Sequence, residues 1–173
     1  EKFYNKSTFL LKSQLNEQIL KDGGHFELSP MYHQIVFHRL LDSIQLIKLN
    51  PNWKKNNLLK FLSSKAEHMY SWLKQITYLS NDLPMLNDST YDIAPSSLEL
   101  FKYAQKLEIN NPNLHLSDSG FRKIHFSNFE LLIDIGKIRA DYQPGHSHSD
   151  TFNFELYVQK FPLIVDTGIS TYE

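Results

Sequence analysis

The spacing of apolar residues changes once along this 173-residue chain, from a helical period to strict alternation near residue 111. A chain patterned that way folds as helices followed by strands, not as alternating βαβ units. The fold class expected is therefore α+β and multidomain, with a helical part over 1–110 and a strand-built part over 111–173. The polar stretch Asn110-Asn111-Pro112-Asn113 marks the boundary.

In the helical part, Phe9, Leu10, Leu15, Ile19 and Leu20 form one stripe that ends before Asp22-Gly23-Gly24. A second helix opens at Ser29-Pro30, with Ser as N-cap and Pro in the first turn. It carries Ile35, Val36, Leu40, Leu41, Ile44 and Ile47, and Asn50-Pro51 stops it. A third helix spans about 56–75, and a shorter one starts near Pro95. Beyond the boundary, 119–126, 129–135, 151–159 and 163–166 read as strands separated by turn residues. The strand at 151–159 alternates Phe152, Phe154, Leu156 and Val158 against Thr151, Asn153, Glu155 and Tyr157, predicting an apolar inner face and a polar outer one.

Composition narrows the function classes. The net charge of −1, with Lys and Arg scattered, offers no field for nucleic acid or an acidic membrane surface. Cys is absent, which removes disulfides, thiolate ligands and a Cys nucleophile. No apolar run is long enough to span a bilayer. A start at Glu1 inside a helical pattern and an end just after a strand suggest an internal piece of a longer protein.

Two clusters carry reactive groups. Residues 145–150 read Gly-His-Ser-His-Ser-Asp, and His146 and His148, two apart before a strand, are expected on one face of a sheet edge. A hairpin to the strand ending at Asp166 would return that carboxylate towards them, giving a metal or proton-transfer constellation. Asp150 serves equally well as a turn cap. His-x-His-x-Asp also occurs in the dinuclear zinc site of the metallo-β-lactamase fold. Here Thr151 replaces the next ligand, and a strand follows where that fold has a helix. The second cluster, residues 23–33, holds His25, Glu27, Tyr32 and His33 around a helix start. Tyr32 lies in the first turn, where the helix N-terminus favours a developing phenolate. His33 and His38 fall on a helix where exposure is ordinary, and Asn87-Asp88-Ser89 reads as a turn.

Together these segments resemble the heparinase II/III family, closest to members from surface-polysaccharide gene clusters. Residues 22–33 resemble its DG-x-x-x-E-x-S-P-x-Y-H segment, and residues 83–89 its P-x-x-x-D-S/A loop. Residues 144–156 resemble its GH-x-H-x-D-x-x-S-F-E-L signature, and Val165-Asp166-Thr167-Gly168 the V-D-T/S-G that follows. The resemblance implies a partial (α/α) toroid followed by the start of an antiparallel β-sandwich, in a protein of the cell envelope, periplasmic or secreted. It implies a polysaccharide lyase that cleaves a uronate-containing polysaccharide by β-elimination. Tyr32 and His146 would be catalytic, and His25, Glu27 and His33 would contact the acidic substrate. His148 and Asp166 would bind a structural zinc whose third ligand lies beyond Glu173. The group that neutralises the substrate carboxylate would lie before residue 1, so this piece alone should be inactive. Asn153 stands where the family often has Ser. Two readings compete: a non-catalytic polysaccharide-binding or assembly protein with the same fold, and a metal-dependent hydrolase using the His-His-Asp set. Tyr70, Trp72, Tyr78 and Tyr91 fit a sugar groove or, for most of them, the core.

Overall fold

A computed structural model describes residues 1–50, 52, 56–138, 142, 145–149 and 151–169. Its elements run in the expected order: α1 (Lys2–Gln18), α2 (Pro30–Leu49), α3 (Asn56–Ile76), α4 (Ser97–Lys106), then β1 (Phe121–Phe126), β2 (Phe129–Asp134), β3 (Phe154–Val158) and β4 (Phe161–Ile164).

Local chemistry explains the helix starts. The Ser29 hydroxyl accepts from the Tyr32 N–H at 3.3 Å and Pro30 follows, so α2 begins with one of its free donors satisfied. At α4, Ser96 and Glu99 form a reciprocal capping box. The buried side chains Leu40, Leu41 and Ile44 of α2, Leu62, Met69 and Leu73 of α3, and Leu100 and Ala104 of α4 make one core. Tyr70, Trp72 and Tyr78 belong to that core, which leaves Tyr91 as the exposed one of the four candidate groove aromatics. The α1 stripe is shorter than its sequence suggests. Leu15 and Ile19 are buried, whereas Phe9 and Leu10 stay exposed, because α1 enters the core at its C-terminal end and only Tyr4, partly buried, packs against it near the start.

The four strands pair in sequence order, all antiparallel, with Phe121 opposite Asp134 and Leu132 opposite Glu155. Which face is buried reverses the expectation. Glu155 and Tyr157 are 1% and 3% exposed, whereas Phe154 and Phe152 are 40% and 76% exposed. The reason lies in partners supplied by the helical part. Tyr78 donates its hydroxyl to Glu155 Oε2 at 2.9 Å, and its ring stacks on Tyr157 at 3.8 Å. Glu155 Oε1 accepts from the Met85 and Asp166 N–H groups at 3.2 and 3.3 Å. On β2, Glu130 accepts from the Leu79 N–H and pairs with Lys123 at 2.9 Å. Hydrogen-bond partners on this scale offset much of the cost of burying a polar face. Its apolar counterpart, with Ile124, Phe126 and Phe154, is exposed among the described residues.

A second tie joins the connector after α1 to the entry of β1. The buried Asp22 carboxylate accepts through Oδ2 from the Ser117 N–H, the Ser119 N–H (both 2.9 Å) and the Ser119 hydroxyl (2.7 Å). Its Oδ1 accepts from the Gly24 N–H at 3.2 Å. The Ser119 hydroxyl in turn accepts from the Trp72 indole at 3.0 Å. Between them Gly23 takes φ +94°, and a Cβ there would run into the His68 carbonyl oxygen, so glycine is required.

Candidate active site

The site grows from the start of α2. Ser29, besides capping the helix, donates its hydroxyl to the Asp88 carbonyl at 2.9 Å. Ser89 Oγ accepts from the Met31 N–H at 3.2 Å, and Asn87 donates its amide to the Leu28 carbonyl at 3.1 Å. Asn87 adopts φ +55°, a conformation its short polar side chain tolerates, and this turns residues 87–89 onto the helix end. Asp88 is thereby set beside Tyr32, whose hydroxyl reaches Asp88 Oδ2 at 3.4 Å. The same oxygen lies 2.8 Å from His146 Nδ1. The Asp88 N–H also donates to the His146 carbonyl at 3.3 Å. The Tyr32 and His146 rings sit 4.2 Å apart, both half-buried. Tyr32 and His146, 114 residues apart in sequence, thus meet over one carboxylate.

This arrangement changes the expected state of Tyr32. Burial, then the charge and hydrogen bond of Asp88, then Glu27, push the phenol above its ordinary pKa. Burial, with the Asp88 carboxylate beside it, thus outweighs the N-terminal position that favours a phenolate, and Tyr32 keeps its proton. His146 has its Nδ1 committed to Asp88, which leaves Nε2 as the nitrogen able to take a proton.

The other three residues of the first cluster divide. Glu27 is partly exposed and lies 3.9 Å from His25 Nδ1. His25 is buried, with Nε2 3.4 Å from Gln18 Oε1, and Nδ1 makes no hydrogen bond. Burial first, and His146 second, lower its pKa to about 4, so it stays neutral around pH 7. His33 is not an exposed helix residue. It is fully buried against Trp72 at 4.5 Å. Its Nδ1 accepts from the His25 N–H at 3.3 Å and its Nε2 faces the Met69 carbonyl at 3.0 Å. With both nitrogens used by backbone, His33 holds the 23–28 connector on α3 and has no polar edge left for a sugar. Burial lowers its pKa to about 3.

The two histidines of the second cluster meet different partners. Residues 151 and 152 form a turn, with Phe152 at φ +67°, and the strand begins only at Phe154. His146 and His148 therefore do not share a strand face. The His148 N–H donates to Asn87 Oδ1 at 3.2 Å, and the ring borders a small pocket with Leu28, Asp134, Gly136 and Thr151. Both ring nitrogens are buried without a hydrogen-bond partner among the described residues. The β3–β4 hairpin returns Asp166 to Asn153, whose amide donates to Asp166 Oδ2, while the Gly168 N–H donates to Oδ1 at 2.6 Å. Asn153 is thus engaged with the carboxylate. Asp150 and Pro144 lie outside the described residues. No cluster of three or more His, Cys, Asp or Glu able to hold a metal occurs among the described residues. The donor types at His148 and Asp166 suit zinc, which takes three or four such ligands.

Asp88 is the residue that sequence reasoning missed. In isolation Asn-Asp-Ser is a turn signal. Only the pairing of that loop with Ser29-Pro30 places its carboxylate between Tyr32 and His146.

Helices leading into an antiparallel sheet, with Tyr32 and His146 brought together over Asp88 at the start of α2, define an α+β protein. The chain belongs to the heparinase II/III family: residues 1–115 match the heparinase II/III N-terminus, and residues 108–173 the heparinase II/III-like C-terminal region. Its fold is similar to that of a heparan sulfate lyase from Pedobacter heparinus, with a TM-score of 0.68 at 21% identity over 96% of this chain and 29% of that one. It is also similar to a heparinase III, with a TM-score of 0.63 at 19% identity over 99% of this chain and 31% of that one. The chain thus spans under a third of these neighbours. No curated protein sequence matches it. No helix among the described residues is long and apolar enough to cross a membrane.

Proposed function

We propose that this chain is the acid–base portion of a polysaccharide lyase acting on a uronate-containing, acidic polysaccharide. The observation that carries the reading is the Tyr32–His146 pair, 4.2 Å between rings and joined by Asp88. Family membership and a heparan sulfate lyase among the similar folds support the same class.

β-Elimination on a uronate needs a base for the C5 proton and an acid for the departing C4 oxygen. His146 Nε2 takes the proton, the C5 electrons form the C4–C5 double bond, and the C4–O bond breaks. The Tyr32 phenol gives its proton to the leaving oxygen, and Glu27 borders the sugar with the buried His25 behind it. A further group must offset the substrate carboxylate before C5 becomes acidic enough. In this reading the helices are part of an (α/α) toroid over 1–110, and the sheet opens a β-sandwich from 111. The protein works in the cell envelope or outside the cell. His148 and Asp166 would hold a structural zinc together with a ligand from elsewhere in the protein. Zinc there would tie strands together, and no step of the elimination passes through it.

The test is ultraviolet absorbance of the unsaturated product, using the full-length parent protein and a panel of uronate polysaccharides. Absorbance is expected to rise with at least one polymer and to disappear in Tyr32→Phe. A folded parent silent on every polymer would turn the assignment to binding or assembly, and full activity in Tyr32→Phe would remove Tyr32 from the chemistry.

A further inference from the structure

We infer that Asp88 is a positioning residue, which fixes the tautomer of His146 and holds Tyr32 on the same carboxylate oxygen, so that acid and base face the substrate as one unit. The inference deepens the lyase reading and rests on it for its kinetic part, while its structural part stands alone.

A carboxylate in contact with an imidazole nitrogen at 2.8 Å can only accept, so His146 Nδ1 must carry the hydrogen and Nε2 must be bare when the ring is neutral. That is the tautomer a base with an outward Nε2 requires. Tyr32 Oη approaches the same Oδ2 at 3.4 Å, and the rings lie 4.2 Å apart, so one atom sets the spacing of both side chains.

Asp88 is itself held at three points. Its carbonyl accepts from Ser29, its N–H donates to the His146 carbonyl, and Asn87 before it is anchored to Leu28. These bonds fix the backbone of residue 88 beside that of His146, so only two side-chain torsions separate the carboxylate from a set position. This is the logic of a preorganised support, in which orientation is set before substrate arrives.

If Asp88 were only a turn residue, its backbone bonds would carry its whole role, and Asn would serve as well. Asp88→Asn keeps the shape and those bonds but presents an amide that can donate to Nδ1 and move the hydrogen to Nε2. In the full-length protein, kcat and kcat/KM for Asp88→Asn are expected to fall together, by about 10²–10⁴-fold, as for loss of a tautomer-fixing carboxylate in a histidine triad. Asp88→Glu, which restores a carboxylate on a longer arm, is expected to recover part of the loss.

The independent readout is nitrogen NMR of His146 in the neutral ring. The parent is expected to show Nδ1–H and Asp88→Asn to show Nε2–H. Should the parent cleave no polymer, the lyase reading fails, but the tautomer comparison still decides whether Asp88 positions the ring. An unchanged tautomer, or a kcat within about twofold of the parent in Asp88→Asn, would overturn the inference.

Discussion

Replacing Asp22 by Ala tests whether a single buried carboxylate ties the helical part to the sheet. The change removes the acceptor of four hydrogen bonds, from Gly24, Ser117 and twice from Ser119. The Ser119 hydroxyl can rotate, and the Ser117 N–H is only partly buried and can find water. The Ser119 and Gly24 N–H groups are enclosed and lose their partner outright. Two orphaned buried donors cost about 1–3 kcal/mol each, so Asp22→Ala is expected to lose about 2–6 kcal/mol. Asp22→Asn isolates the charge from the shape. Its amide oxygen can keep the three donors at Oδ2, and its nitrogen then opposes the Gly24 N–H, at an expected cost of about 1–2 kcal/mol. Urea unfolding of the full-length protein, followed by tryptophan fluorescence, measures both. The Trp72 indole reports directly, because it donates to the same Ser119 hydroxyl. A midpoint for Asp22→Ala equivalent to less than about 0.5 kcal/mol of destabilisation would refute the reasoning, since that is the scale of an ordinary surface change.

Gly23→Ala is expected to destabilise by at least about 1–2 kcal/mol, the cost of a left-handed L-residue, before the clash with the His68 carbonyl is counted; thermal unfolding checks it. Burial raises the Glu155 carboxyl, so the folded state keeps that proton to a higher pH than the unfolded chain does. Its stabilising effect is full below the unfolded value and is lost as pH rises through the folded one. Glu155→Gln should therefore gain on the parent from about pH 4 upward and then level off, and a difference in stability independent of pH would contradict this. His25 and His33, held neutral with values of about 4 and about 3, act in the opposite direction. Stability is expected to fall as pH drops below about 6.5, where the unfolded histidines take up protons first, and His33→Gln should flatten that loss in acid titrations. Finally, His148→Ala is expected to lower both the zinc content and the melting temperature of the full-length protein, and equal zinc in mutant and parent would exclude His148 as a ligand.

Helix starts were legible because capping is local. Ser29-Pro30 and Pro95 carry their signal locally, and α2 and α4 begin at or just after them. Alternation was equally legible, and the strand pairing follows it. Direction was not. Period two says that two faces differ, and it leaves open which of them finds partners. Here the partners are Tyr78, the Met85 N–H and the Leu79 N–H, all distant in sequence from the strands they meet. The same limit hid Asp88 and misplaced His33. A turn carboxylate and a helix-face imidazole look ordinary until the fold supplies the groups that surround them. The Tyr32–His146 encounter was reachable only through the resemblance, since nothing local in either segment points to the other.

The inverted sheet has a consequence for how the strands find their alignment. In most half-buried sheets a slip of one residue turns the oily side out and is rejected for that reason. In this sheet the same slip would turn Phe154 and Leu156 towards the helices and carry Glu155 away from Tyr78. By hydrophobicity alone the slipped pairing is the more attractive one. The correct alignment is therefore addressed by carboxylates that must meet particular donors, as a key is cut for one lock. Damage to that code, at Tyr78 or Glu155, should surface as mispaired strands and aggregation during refolding before it surfaces as a lower melting point.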